Sequence, residues 1–203
     1  RMVHHAHQAA ADVGISTTYA VAGPGSAPWY GSILRYKEVG SLSLIVRPWR
    51  VRRMAEAVSN GQKWINAAAM IASPVSRMVY AVWPRPRLGR EIDLRPLEAW
   101  GGEHERLWEV VGPKLSHTAA RTERFLQWRY ANAPTRQYEV IVAHSSTGVV
   151  GYVVFRKRGT HHADGLVFGS IVDLVVGAEG RGTRIGASLV DAAIDSLQRD
   201  GVH

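Results

Sequence analysis

Residues 168–186 constrain the fold of this 203-residue chain more than any other stretch. Phe168 to Val176 is its most apolar strand-like run, interrupted only by Asp173, and it feeds into Gly177-Ala178-Glu179-Gly180-Arg181-Gly182-Thr183-Arg184-Ile185-Gly186. Beyond that turn Ile185, Leu189, Ala193 and Leu197 recur every four residues, the stripe of an amphipathic helix, with Asp191, Asp195 and Arg199 placed to face water. A strand, a glycine-rich basic turn and a helix N-terminus in that order predict an anion cradle. The unpaired amides of the first helical turn and the helix dipole converge there, and glycine lets a phosphate come close. A pyrophosphate suits such a cradle; the competing reading is a merely tight turn. No Gly-Lys-Ser/Thr of a P-loop is present. The helix follows a hairpin sheet instead of opening a βαβ unit, which argues against a dinucleotide fingerprint.

Upstream, Tyr138, Val140 and Val142 alternate as one strand, Ser145 to Gly148 supply a four-residue turn, and Val150, Tyr152 and Val154 alternate on the return, which predicts a hairpin over 138–156. A polar loop is expected from Gly159 to Gly165. Before the hairpin come a short strand near Glu91 to Leu94, a helix over Glu103 to Val111 stopped by Gly112-Pro113, and a further helix reaching Tyr130. The opening fifty residues read helix, strand, helix, strand. Val3, Ala6, Ala10 and Val13 space a helix that Gly14 ends, Ile15 to Ala22 reads as a buried strand, Ser26 is placed to cap a short helix to about Leu34, and Gly40 to Trp49 alternates as a strand. Residues 51–88, Ala-rich and then proline-punctuated at Pro74, Pro84 and Pro86, read as a connector. The organisation is thus 1–50, 51–88 and 89–203, and both ends look cut.

With 46% hydrophobic residues the chain can bury one ordinary core or two small ones. It has no cysteine, which removes disulfides, thiolate metal sites and cysteine nucleophiles and accords with a reducing cytoplasm. No apolar run approaches the roughly 18–20 residues of a membrane span. The 25 Lys+Arg against 17 Asp+Glu, a formal +8, favour an anionic partner. The arginines form dispersed clusters (Arg47 to Arg53, Arg85 to Arg90, Arg156 to Arg158) with no aromatic stacking platform between them, which speaks against nucleic acid. His4, His5 and His7 sit on one helix without a carboxylate to complete a metal site, so no metal is expected. No glycine-flanked serine elbow supports hydrolysis.

An antiparallel hairpin, the strand Ile171-Val172-Asp173-Leu174-Val175-Val176, the turn Arg181-Gly182-Thr183-Arg184-Ile185-Gly186 and an amphipathic helix together resemble the acetyl-CoA-binding core of the GNAT superfamily of N-acetyltransferases. The family signature is Gln or Arg, two residues, Gly, one residue, then Gly or Ala. Arg181 fits the first position and Gly186 the last, but Arg184 stands where the middle glycine belongs. The stretch Phe125-Leu126-Gln127-Trp128-Arg129-Tyr130, followed by Pro134 and Tyr138, resembles the second lobe of two-lobed bacterial GNAT-like proteins often linked to surface polysaccharides; packing of helix on sheet is the plainer reading of those aromatics. The first fifty residues resemble the closing half of another lobe, with Leu34-Arg35-Tyr36 near the end of the short helix.

The resemblance implies a mixed α/β, mostly antiparallel sheet flanked by helices, the second half of one lobe followed by the first half of another. It implies an acyltransferase moving an acetyl or other acyl group from CoA to an amine or hydroxyl of a small molecule or saccharide precursor. Its cofactor residues would be Val175, Val176, Arg181, Gly182, Thr183, Arg184, Ile185, Gly186 and Ala187. Tyr30 or Tyr36 would protonate the departing thiolate, each with core packing as its alternative. Asp173, alone in an apolar strand, reads either as the base or as a structural hydrogen-bond acceptor. The competing function is a non-catalytic module that has lost cofactor affinity through Arg184 and shapes a cleft or holds a partner.

Overall fold

The computed structural model describes residues 2–17, 20, 22–23, 25–38, 40, 55, 74, 78, 88–89, 91–115, 118–134, 137–159, 167–178 and 183–201. Two compact units divide the chain, Arg1–Val46 and Arg47–His203.

The first unit holds helix α1 (Met2–Asp12) and helix α2 (Ala27–Ser32). Gly14 closes α1 in the left-handed conformation, φ 82°, its N–H bonding the Ala11 carbonyl at 2.9 Å, as its place after the helical stripe leads one to expect. The strand expected over Ile15 to Ala22 is not formed at residues 15–17, 20 or 22. A β-strand is stable only against a partner ladder, and no strand lies among this unit's described residues. Ser26 precedes α2 without capping it; its hydroxyl donates to the Gly23 carbonyl instead. Of the strand expected at Gly40 to Trp49 only Gly40 is described, outside any strand, and nearly all of the 51–88 connector lies outside the described residues.

The second unit contains a four-stranded antiparallel sheet in the order β1-β2-β3-β4, comprising β1 (Asp93–Pro96), β2 (Glu139–Ser145), β3 (Gly148–Gly159) and β4 (Val167–Val176). The strand expected at 91–94 thus lies two residues later, and Pro96, which has no N–H to give a ladder, ends it at the sheet edge. β2 and β3 form the expected hairpin, with Gly148 at φ 117° where a side chain would be strained.

Each face of the sheet carries one layer. On one side lie α3 (Gly102–Val111), α4 (Glu123–Leu126) and the π-helical turn Gln127–Ala131; Trp100, Leu107, Val111, Leu126 and Tyr130 pack there on Val142, Tyr152, Val154 and Val175. Thr122 caps α4, its Oγ1 accepting from the Phe125 N–H at 3.2 Å. The π turn carries Tyr130 into this core and leaves Trp128 exposed. On the other side α5 (Ile185–Arg199) lays Ile185, Leu189, Ala193 and Leu197 on Ala143, Val153 and Phe155. Fully buried leucines such as Leu126 and Leu189 each contribute roughly 1.5–3 kcal/mol. Asp191 and Asp195, expected to face water, are half-buried.

Candidate functional site

β4 is the edge on which the site is built. Among the described residues its ladder partner is β3 alone, and its opposite edge faces no strand. Val154 pairs with Asp173 and Phe155 with Ile171, so Val172 is an extra residue, a β-bulge. A bulge breaks the strict alternation of sides, and Val172 packs on the same core as Val175 while Asp173 reaches groups of that same layer. Beyond the bulge, the Gly177 N–H bonds the Val150 carbonyl at 2.8 Å. By the alternation of an antiparallel ladder, Val175 then points its N–H and C=O towards Tyr152, while Leu174 and Val176 point theirs to the open edge. Of the two residues expected to offer main chain to a ligand, Val176 points its polar groups to the open edge and Val175 points its own to β3.

Asp173 is a junction. Arg121 grips it through both arms, Nε to Oδ2 at 2.9 Å and Nη2 to Oδ1 at 3.0 Å. The Tyr130 hydroxyl donates to Oδ2 at 3.1 Å, and the outward N–H of Leu174 to Oδ1 at 3.1 Å. The carboxylate is only 8% exposed, so these four donors replace the water it has lost. Arg121 is held in turn by Thr118 Oγ1 at 2.6 Å, by the Ala119 carbonyl at 3.1 Å and by stacking over the Trp108 ring. Burial disfavours the Arg121 cation, but its hydrogen bonds to Asp173 and the charge they meet outweigh this and raise its pKa. Burial, then the Asp173 charge, push the hydroxyls of Tyr130 and Tyr152 well above the ordinary phenol value, so both stay protonated. The Tyr152 hydroxyl itself is buried without a partner among the described residues. Neither Arg121 nor the bulge stands out in the sequence. The one available signal was Asp173 itself, since a lone carboxylate in an apolar strand demands a cation or several donors.

At the end of β4, Gly177 is buried against Leu107 and the Val150 carbonyl. Arg181 and Gly182, together with Glu179 and Gly180, lie outside the described residues. Arg184 precedes α5 at φ 62°, ψ 10°, the left-handed conformation that glycine adopts without cost. Its carbonyl accepts the Ser188 N–H at 2.9 Å, the first bond of α5, so the amides of Ile185, Gly186 and Ala187 have no intrahelical acceptor. Ile185 is buried and anchors the turn, Thr183 and Ala187 are exposed, and Gly186 stands against Val176, where an added Cβ would lie 3.4 Å from Cγ2. Main chain able to bind an anion therefore sits beside Val176, whose own polar groups point outward.

Tyr30 and Tyr36 belong to the first unit, Asp173 and the turn to the second. Tyr36 hydrogen-bonds His7 Nε2 at 2.8 Å and packs edge-on against Tyr30. A cleft of about 860 Å³ opens at the other end of the sheet, where Arg95, Glu98, Tyr138, Glu139 and Arg199 line it. No group of three or more His, Asp or Glu residues among the described residues is placed to hold a metal ion. No described helix is long and apolar enough to cross a membrane.

The sequence matches no protein-family model and no curated protein. Among solved structures the chain is similar to glucosamine-6-phosphate N-acetyltransferase from Arabidopsis thaliana, with 18% identity over 55% of this chain and 78% of that one and a TM-score of 0.43. It is also similar to the ribosomal-protein-alanine N-acetyltransferase from Brucella melitensis biovar Abortus 2308, with 21% identity over 55% and 74% and a TM-score of 0.41. A third is an aminoglycoside acetyltransferase from an uncultured soil metagenomic sample, with 19% identity over 56% and 74% and a TM-score of 0.42. The antiparallel order β1-β2-β3-β4, the bulged fourth strand and the helix that follows it give the described part of the second unit the mixed α/β architecture expected from the sequence, an antiparallel sheet flanked by helices.

Proposed function

We propose that this chain is part of an acyl-CoA-dependent acyltransferase of the GNAT type, with the open edge of β4 and the N-terminus of α5 as its acyl-CoA site. One observation carries the reading: the outward main-chain groups of Val176 and the first-turn amides of α5 lie side by side, joined through the contact of Gly186 with Val176. An extended ligand with amides along its length and a diphosphate at one end fits such a pair of surfaces, because one half pairs with a strand edge and the other with a helix N-terminus. CoA has that chemistry. Bound there, acetyl-CoA would bring an activated thioester. The chain's part would be to hold the pantetheine amides at Val176, the diphosphate at Ile185, Gly186 and Ala187, and the exposed Arg184 guanidinium beside the phosphates. The acceptor in this reading is an amine or hydroxyl of a small molecule or saccharide precursor.

Calorimetric titration of the chain with acetyl-CoA tests the proposal. Saturable binding that weakens when Gly186 is replaced by Val, a β-branched side chain placed against Val176, is the expected result. No binding by either the natural chain or an Arg184→Gly variant would favour the second reading, a non-catalytic module. The left-handed Arg184, with a side chain where the family keeps none, is what favours that reading.

A further inference from the structure

We infer that His104 is an acid-sensitive cap of α3: its neutral ring holds the start of the helix by accepting the Gly101 N–H, and protonation of Nδ1 releases that end. The release belongs to the free protein, and only its effect on a ligand rests on the acyl-CoA reading. Gly101 precedes the first turn of α3 in extended conformation, φ −158° and ψ −177°, and has no side chain with which to cap the amides that follow. The end is held instead from His104, three residues on, whose Nδ1 accepts the Gly101 N–H at 3.4 Å. A side chain reaching back from this position to the N–H before the helix is one half of a capping box, and the residue that usually supplies it is Glu or Gln, neither of which changes charge near neutral pH. Histidine does.

A neutral imidazole that accepts at Nδ1 carries its proton on Nε2, so a second proton can go only to Nδ1, where it meets the Gly101 N–H and ends the hydrogen bond. The cation would lie in the first turn of a helix, the end at which the dipole disfavours positive charge. Its residue is only 5% exposed, and its ring packs edge-on against Trp100, with centroids 4.9 Å apart, and against Tyr152 of β3 at 6.0 Å. The charged groups around it are Glu103 on its own helix, Glu123 on α4 and His144 on β2. Burial disfavours the cation most strongly and His144 adds to this; Gly101, whose carbonyl accepts the His104 N–H at 3.0 Å, and the two carboxylates work the other way and are outweighed. The fold therefore selects the capping form near neutral pH and loses it on acidification. The effect reaches the end of β4 through one turn of helix. Leu107, three residues beyond His104, packs on Gly177, where an added Cβ would lie 3.1 Å from Leu107 Cδ1, and Gly177 directly follows Val176.

Amide hydrogen exchange on the natural chain, His104→Gln and His104→Leu, at about pH 7.5 and about pH 5, tests the cap, with each rate compared to the intrinsic rate at its own pH. Glutamine keeps an acceptor at the same place and does not titrate, whereas leucine has none. In the natural chain the Gly101 amide is about fivefold better protected at the higher pH, the worth of a typical helix cap. The glutamine variant holds the higher level at both pH values and the leucine variant the lower level at both, while amides of the β2–β3 ladder report that the sheet is intact in all three. The imidazole nitrogen signals of the natural chain show Nδ1 unprotonated at the higher pH and protonated at the lower. A protonated Nδ1 at the higher pH, Gly101 protection that does not change with pH, or a change that persists in His104→Gln overturns the cap; if His104→Gln does not fold, the first two decide. Acetyl-CoA affinity falls more on acidification in the natural chain than in His104→Gln. Equal falls overturn the link from the cap to the site, and failure of acetyl-CoA to bind at either pH overturns the acyl-CoA reading and leaves the cap to the exchange result.

Discussion

Gly151 on β3 and Val175 on β4 stand so close that a Cβ on Gly151 would lie 2.9 Å from the Val175 carbonyl oxygen. The atom it would meet is main chain, which cannot swing aside as a side-chain end can, and Leu189 Cδ1 closes the other side at 3.3 Å. Gly151→Ala is therefore expected to cost about 1–3 kcal/mol and to push β4 outward at the residues that flank its open edge. Gly186→Ala, whose new methyl meets Val176 only at 3.4 Å, is expected to be neutral or stabilising, since alanine is favoured over glycine in a helix by up to about 1 kcal/mol. Urea denaturation of the two variants checks the pair; equal destabilisation would contradict the geometry.

Arg184 occupies a conformation that disfavours any side chain with a Cβ. Arg184→Gly should raise stability by about 0.5–1 kcal/mol, the relief of the left-handed strain less the added chain entropy of glycine. Arg184→Val, β-branched, should lower it. A thermal melt of the three proteins decides the order, and a loss on Arg184→Gly would mean that the guanidinium makes compensating contacts.

Removing one member of the Arg121–Asp173 pair strands the other in a site where Asp173 is 8% and Arg121 20% exposed. Arg121→Met and Asp173→Asn should each cost about 2–4 kcal/mol, and the double variant clearly less than their sum. Additive losses in a double-mutant cycle would show that the two side chains act independently.

His104 is buried on α3, with Nδ1 accepting the Gly101 N–H at 3.4 Å and Nε2 meeting no partner among the described residues. Burial, opposed by the contact with Gly101, lowers its pKa below the ordinary 6.5. The native state then holds fewer protons than the unfolded chain between the lowered value and 6.5, so stability rises with pH through that window. The contribution is complete above 6.5, is lost as pH falls from there and levels off below the native value. His104→Leu should flatten this part of the curve. Denaturation midpoints measured between about pH 8 and pH 5 check it, and an unchanged slope in the variant would assign the effect elsewhere.

Local rules sufficed for the hairpin of β2 and β3, for α3 and α5 and for the left-handed Gly14, because alternation, a four-residue stripe and a glycine after a helix each act over a few residues. The strand expected at Ile15 is not formed at residues 15–17, 20 or 22: its composition describes what a sheet would accept, and no strand lies among the described residues of that unit to accept it. Arg184 at the middle position of the glycine turn was conspicuous in the sequence, and its backbone keeps the glycine-like conformation although the side chain differs. The sequence by itself therefore determined where a strand, a glycine-rich turn and a helix follow one another, and that a solitary aspartate lies in the strand. Only the tertiary structure decided what that aspartate does. Its grip on Arg121, 52 residues away, and on Tyr130 depends on packing between layers, and no spacing rule encodes contacts of that range. The same holds for the edge of β4, where the identity of the exposed amides follows from ladder register, a property of two strands together.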